Sequence, residues 1–497
     1  MKKYIMAFDA GTTSARTILF NLKGEIVSSA SKNILQFFPH PGWVEEDPSE
    51  IWSAQISTAV EAMSKISAST DEIYAIGITN QRETTILWDK KTGEALYNAI
   101  VWQCKRTSKY CRELEEVDLK DKIREKTGLI IDPYFSATKI KWILDNVEGA
   151  RERAEKGEIL FGTVDSYLIY KLTDGKIHIT DYSNASRTML FNINNLEWDK
   201  ELLEIFQIPE KILPEVKNSG EIYGKSSSKF LGGQIPIGSA IGDQQSSLFG
   251  QACFKSAMAK ATYGTGAFVL MNTGYKAVQS KHGLVTTIAW GLDNKISYAL
   301  EGSIFECGSA INWLKDNLKI LDAADDSEYM ATKVKDTCGC YVIPAFSGLG
   351  APYWDSSARG TIVGLTRAVT KNHIIRATLE SLCYLSKDVI SAMEEDAGFK
   401  LKELKVDGGV SANNFILSFL SDLIDSKVLR PEILETTALG AGLMAGLASG
   451  AYKNLEELSE ILRIEKIFEP EIDDIKREEI LKKWHRACKY SLAFAEE

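Results

Sequence analysis

Apolar and polar residues alternate in two short ribbons, one near the start of each half of the chain. In "KYIMAFD" (3–9) Tyr4, Met6 and Phe8 fall on one face, and "ARTILFN" (15–21) follows as a strand rich in β-branched residues, so a hairpin is predicted around a Gly-Thr-Thr-Ser turn. "KATYGTGAFVLMNTG" (260–274) repeats this form around Gly-Thr-Gly, and "ELKVDGGVSANNFIL" (403–417) predicts a strand running through a glycine turn into a helix. Helix signals are equally clear. In "DPSEIW" (47–52) Asp47 stands at the N-cap, Pro48 at the first helical position and Glu50 at the third. The apolar residues Ile51, Ala54, Ile56, Val60 and Met63 then follow at near-helical spacing, which predicts their burial. Residues 71–97 predict strand, loop, strand, turn, with charged and amide groups gathered in "NQRE". The most apolar window, "TALGAGLMAGLASGAY" (437–452), is too short and too rich in small residues for a membrane span; it predicts a buried helix that another backbone approaches closely.

Two similar hairpins, one in each half, suggest an internal duplication. At 497 residues the chain exceeds the size of one core, so two domains are expected, 1–250 and 251–497, with a ligand in the cleft between them. With 44% hydrophobic and 25% charged residues the composition is that of an ordinary globular protein, and the net charge of −10 argues against a nucleic-acid partner. The basic start runs into Asp9 too soon for a signal peptide, so the expected location is the cytoplasm, without membrane insertion. Eight scattered cysteines form no disulfide framework; Cys338 and Cys340 are expected as a reduced surface pair, and the five histidines lack ligand spacing.

The first turn, "FDAGTTSAR" (8–16), has the chemistry to hold a phosphate chain. Backbone amides at Gly11 and Thr12, the hydroxyls of Thr12, Thr13 and Ser14 and the charge of Arg16 all donate to phosphate oxygens, and Asp9 at the strand end can orient Mg²⁺ through water. A Walker-type loop is excluded, because no Lys is present and a strand follows the turn.

Seven segments, "DAGTTSAR" (9–16), "GITNQRET" (77–84), "NAIVWQCKRT" (98–107), "DPYFSATKIKWILDN" (132–146), "GDQQSSLFGQ" (242–251), "YGTGAF" (263–268) and "VDGGVSANN" (406–414), together resemble the FGGY carbohydrate kinases, and among them those acting on glycerol. The resemblance runs in order over nearly the whole chain. It implies an α/β fold of two duplicated actin-like, ribonuclease-H-like ATPase domains, each with a mixed five-stranded sheet flanked by helices, around an interdomain cleft. The implied reaction is phosphoryl transfer from ATP with Mg²⁺ to glycerol, giving glycerol 3-phosphate. By the same resemblance Asp243 is the general base and helps Asp9 place the metal, while Thr265, Gly308, Gly409 and Asn413 contact ATP. The implied assembly is a homodimer or homotetramer.

Arg82, Glu83, Trp102, Tyr134, Asp243 and Gln244 would define the acceptor. A triol presents three groups that each donate and accept, so its site needs donors such as Arg82 beside acceptors such as Glu83 and Asp243. Trp102 and Phe268 supply an apolar wall for the carbon chain. In "GKSSSKFLGGQIPIGS" (224–239) Gln234 stands where sugar-bisphosphate-regulated relatives carry Arg, and no His is present, so neither bisphosphate inhibition nor histidine phosphorylation is expected. A kinase of the same fold acting on xylulose or gluconate is the first alternative; a non-enzymatic ATP switch is the second. One position departs from the pattern: "CGSAINWL" (307–314) has Asn312 where a glutamine is usual on the adenine side. Asn312→Gln is therefore expected to lower the KM for ATP by less than about tenfold, and an unchanged KM would contradict a nucleotide contact at this position.

Overall fold

Two open sheets organise the chain, and each begins with one of the alternating ribbons. The computed structural model describes residues 1–355 and 357–493. The first sheet contains β1 (Tyr4–Ala10), β2 (Ser14–Asn21), β3 (Ile26–Asn33), β4 (Ile73–Asn80), β5 (Gly220–Lys225) and β6 (Pro236–Gly242), in the order β5-β6-β4-β1-β2-β3. The second contains β7 (Met258–Tyr263), β8 (Ala267–Gly274), β9 (Val285–Leu292), β10 (Lys295–Ile304), β11 (Glu403–Asp407), β12 (Lys427–Pro431) and β13 (Ile464–Phe468), in the order β9-β10-β8-β7-β11-β12-β13.

The two sheets share a plan. In the first, β1 is antiparallel to β2 and parallel to β4, β2 is antiparallel to β3, and β4 is parallel to β6. In the second, β7 is antiparallel to β8 and parallel to β11, β8 is antiparallel to β10, and β11 is parallel to β12. The same core of five strands is thus built twice. The five-stranded sheets expected from the resemblance are this core, and the observed sheets are larger: β5 extends the first, and β9 and β13 extend the second, each antiparallel. Added edge strands cover backbone groups that would otherwise be unpaired.

Helices cover the sheets. Those used below are α1 (Pro48–Lys65), α2 (Ser136–Asn146), α3 (Asp243–Gly250), α4 (Gly308–Asp316), α5 (Asn414–Ile424) and α6 (Thr436–Ala448). The Asp47 carboxylate caps α1 by accepting the Ser49 N–H at 2.8 Å. The buried face of α1 is Ile51, Ala54, Gln55, Thr58, Ala59, Ala62 and Met63, whereas Val60, expected on that face, is 48% exposed. At about 100° per residue, nine positions carry Val60 to the far side from Ile51. The amide of Gln55 takes a buried place instead, donating to the Arg16 carbonyl at 2.9 Å and to Thr17 Oγ1 at 3.0 Å, which ties the helix to β2 beside the turn.

Helix α6 is the glycine-rich segment, and backbones do approach it closely. A Cβ on Gly440 would lie 1.9 Å from the Ser246 carbonyl oxygen of α3, one on Gly250 2.1 Å from that of Thr436, and one on Gly77 of β4 2.1 Å from that of Ala441. The Ser239 and Ser246 hydroxyls donate to the carbonyls of Ala441 and Thr437 at 2.8 and 2.7 Å. Although α6 lies between β12 and β13 of the second sheet in the chain, its Ala438, Leu439, Ala441, Leu443 and Met444 share one core with Ile5, Ala7, Ile18 and Phe20 of the first sheet and Leu270 of the second. This contact joins the two halves. Among the described residues no helix is long and apolar enough to cross a membrane. The cysteines are unpaired, and Cys340, expected at the surface with Cys338, is buried while Cys338 is half-buried, because Cys340 lies among Val342 and Ala377.

Gly440→Val should cost about 3 kcal/mol of stability, since the added carbons meet backbone rather than a side chain that can rotate away. Urea denaturation checks this, and an unchanged midpoint would contradict the close crossing of α3 and α6.

Candidate active site

The turn between β1 and β2 is closed by the Gly11 N–H, which donates to the Ser14 carbonyl at 3.0 Å, and is braced by the Ile34 N–H on the Thr13 carbonyl at 2.9 Å. Thr13 is exposed and Thr12 and Ser14 half-buried, so the hydroxyl tip is open. Arg16 pairs across the ladder with Asp9; its Nη2 lies 3.4 Å from Asp9 Oδ2, and its Nη1 donates to both oxygens of Glu435 at 2.8 Å. The charge expected to face phosphate is therefore already shared with two carboxylates. The Thr12 hydroxyl also has a partner, accepting the Trp102 indole N–H at 3.0 Å.

The second tip has the same build. The Gly264 N–H donates to the Gly266 carbonyl at 2.9 Å, and the start of α4 is seated on the tip through the N–H groups of Cys307 and Ser309 on the Thr265 carbonyl and of Gly308 on the Gly264 carbonyl. A Cβ on Gly308 would lie 2.7 Å from that last oxygen, so packing against the hairpin already requires glycine here. Asn312 is exposed on α4. Past β11, Gly409 faces open space, with no atom within 4 Å of its would-be Cβ. Asn413 caps α5 by accepting the Ile416 N–H at 3.1 Å, and its amide donates to Ser327 at 3.3 Å.

The residues proposed for the acceptor converge at the end of β4. Arg82 Nε lies 3.0 Å from Asp243 Oδ1, Arg82 Nη2 donates weakly to the Tyr134 hydroxyl at 3.4 Å, and the Tyr134 and Trp102 rings meet edge to face at 5.4 Å. Glu83 is held in a γ-turn, with φ of 61° and the Thr84 N–H on the Arg82 carbonyl at 2.7 Å. Backbone of this kind is uncommon outside glycine and concentrates at functional sites. The ammonium of buried Lys139 on α2, lowered to about 8 by burial, donates to the Tyr134 carbonyl and steadies that loop. Phe268 lies on β8 opposite Thr262 and packs into the core shared by both halves.

Behind these groups four charges close a ring. Glu301 of β10 accepts from Arg82 at 2.5 and 3.1 Å and from Arg187 at 3.0 Å; Arg187 donates to Glu83 at 2.6 Å, and Glu83 lies 3.9 Å from Arg82. None of the four is more than 2% exposed. Burial pushes the Glu301 carboxyl up, but Arg187 and Arg82 overcome it and hold it at about 2. Asp243, which stands outside the ring against Arg82, has a side chain that is 31% exposed. It is the first residue of α3 and also accepts the Gln244 N–H at 2.7 Å.

Magnesium, implied by the fold family, fits the carboxylates at this point. Asp9 is 6% exposed and raised to about 6, chiefly by burial and further by the charges of Glu435 and Asp243, against the pull of Arg16. Two hard oxygen donors whose charges interact, each also facing an arginine, Arg16 for Asp9 and Arg82 for Asp243, offer the ligand type a divalent cation takes.

Sequence reasoning missed Glu301, Arg187 and Lys260. The signal was a charged residue inside an apolar strand: Glu301 in "YALEGSIF" (298–305) and Lys260 in "MAKATY" (258–263). Arg187 follows the Asp181-capped turn of helix Tyr182–Ala185, and its role depends on partners distant in the chain.

Comparison with known proteins agrees with this geometry. The model of the FGGY family of carbohydrate kinases, N-terminal domain, matches residues 4–250, and that of its C-terminal domain matches residues 259–449. The glycerol kinase of Thermoanaerobacter sp. (strain X514) is 59% identical over 497 residues, all of both chains. The crystal structure of Plasmodium falciparum glycerol kinase with ADP superposes with a TM-score of 0.94 at 37% identity, covering 98% of each chain. Gluconate kinase from Lactobacillus acidophilus superposes at 0.90 with 23% identity over 100% of this chain and 99% of that one, which bears on the fold alone. The duplicated sheets, the glycine-tipped hairpins and the matched length together establish that the chain belongs to the FGGY family of carbohydrate kinases.

Proposed function

We propose that this protein transfers the γ-phosphoryl group of MgATP to glycerol, giving sn-glycerol 3-phosphate and ADP. The observation that carries the reading is the small cluster of Arg82, Glu83, Tyr134 and Asp243, in which hydroxyl donors and acceptors alternate beside the Trp102 ring. Its full-length likeness to the glycerol kinase of Thermoanaerobacter supports the same acceptor.

In this reading Arg82 and Glu83 bind two hydroxyls of glycerol, and Trp102 limits the length of the carbon chain. Asp243 accepts the proton of a primary hydroxyl as its oxygen bonds to the γ-phosphorus; the bond to the bridging oxygen of ADP breaks, and ADP carries the electron pair away. The tips at Gly11–Ser14 and Gly264–Gly266 hold the phosphate chain, and the face around Gly409 takes the adenosine. Mg²⁺, held by Asp9 and Asp243, supplies charge neutralisation on the phosphate oxygens when bound. Residues 1–250 would carry the polyol site and 251–497 the nucleoside, the two closing over the substrates and excluding water. Unpaired cysteines throughout support a reducing, cytoplasmic setting, and a homodimer or homotetramer completes the proposal.

Turnover of MgATP with glycerol, xylulose, gluconate or no acceptor, with products identified by phosphorus NMR, tests the reading. Glycerol-dependent formation of glycerol 3-phosphate is expected; turnover independent of acceptor, or preference for a sugar, would contradict it. Asp243→Asn should lower kcat by about two to four orders of magnitude, the range for a lost general base, with wild-type circular dichroism; near-normal turnover would assign the base elsewhere. Gly409→Ala should leave the thermal midpoint unchanged or slightly raised, because its methyl meets only open space. Its KM for ATP should rise, and an unchanged KM would place the nucleotide away from this turn.

A further inference from the structure

Lys260 is a fully buried ammonium on the strand that leads to the second glycine tip. Its Nζ donates to Gln244 Oε1, at the start of α3, and to Thr262 Oγ1 at 2.8 Å. Thr262 is held in turn near the Ser247 hydroxyl at 3.5 Å, and Ser247 donates to Asp407 Oδ2 at 2.8 Å. The lysine is thus fixed from its own sheet and from helix α3.

We infer that Lys260 is a positioning residue that sets which end of the Gln244 amide faces the cleft; this rests on the acceptor site proposed above. An ammonium offers only donors, so the amide must turn its oxygen toward Lys260 and its NH₂ away. Among the described residues that NH₂ has no hydrogen-bond partner, and Gln244 is half-buried beside Asp243. The cleft therefore presents an acceptor, the Asp243 carboxylate, next to a donor, the Gln244 NH₂. This pair suits neighbouring hydroxyls, one giving its proton to Asp243 and the other accepting from Gln244. Without Lys260 the amide is free to rotate by half a turn, and an oxygen replaces the donor.

The test is steady-state kinetics on single variants and a double-mutant cycle. Lys260→Met is expected to raise the KM for glycerol about tenfold, the scale of one lost hydrogen bond, and to leave the KM for ATP unchanged. Gln244→Glu keeps a partner for Lys260 but has no donor, so glycerol KM should rise similarly while the thermal midpoint does not fall. In a Gln244→Ala background Lys260→Met should add no further loss. An undiminished loss in that background, or wild-type glycerol KM in Gln244→Glu, would overturn the inference. Wild-type protein measured alongside separates the two claims: no glycerol-dependent turnover contradicts the proposed function, whereas an active wild type with additive losses contradicts only the role of Lys260.

Discussion

Taking a charge out of water costs several kcal/mol per ion, and a pair recovers this only when geometry and further hydrogen bonds are good. The ring of Arg82, Glu83, Arg187 and Glu301 meets that condition by setting each charge against two of opposite sign. Its formal charge sums to zero. Arg82 therefore has a fixed direction, with its terminal nitrogens on Glu301 and its Nε left for Asp243. The catalytic carboxylate proposed here is oriented by a guanidinium that cannot turn away, and the γ-turn at Glu83 brings the second carboxylate of the site into the same ring.

The ring also joins the duplicated halves, because Glu301 stands on β10 of the second sheet and Arg82 lies two residues past the end of β4 of the first. A second junction is formed where the glycines of α3, α6 and β4 allow backbones to touch. A buried ring of charges and a tight backbone crossing thus both join the two halves. Lys260 and Asp407 extend the polar contacts from the proposed acceptor side toward the turn at Gly408–Gly409, so the two proposed substrate regions rest on one buried framework.

Features set by neighbours in the chain were legible beforehand. Both hairpins, the Asp47 cap and the close approach at the glycine-rich helix follow from local spacing, and so does the gathering of Arg82 and Glu83 after a strand. Val60 was misplaced because near-helical spacing does not fix the side of the helix over nine residues. The edge strands β5, β9 and β13 were not foreseen, since their pairing depends on which edge remains open once the core of each sheet has formed. The partners of Arg82 escaped for a similar reason: Glu301 is 219 positions away, and Arg187 reaches Glu83 across 104. A buried charge in an apolar strand announces that a partner exists without saying which one. Phosphate binding at the first tip was read from its hydroxyls and Arg16, but the neutralisation of Arg16 by Glu435 belongs to the tertiary structure alone.

The most direct measurement is a crystal structure with glycerol and a non-hydrolysable ATP analogue. The account requires a primary hydroxyl of glycerol within about 3.2 Å of an Asp243 oxygen, with the remaining hydroxyls on Arg82 and Glu83. Glycerol bound elsewhere in the cleft, or an Arg82 side chain released from Glu301 when the acceptor is in place, would contradict it.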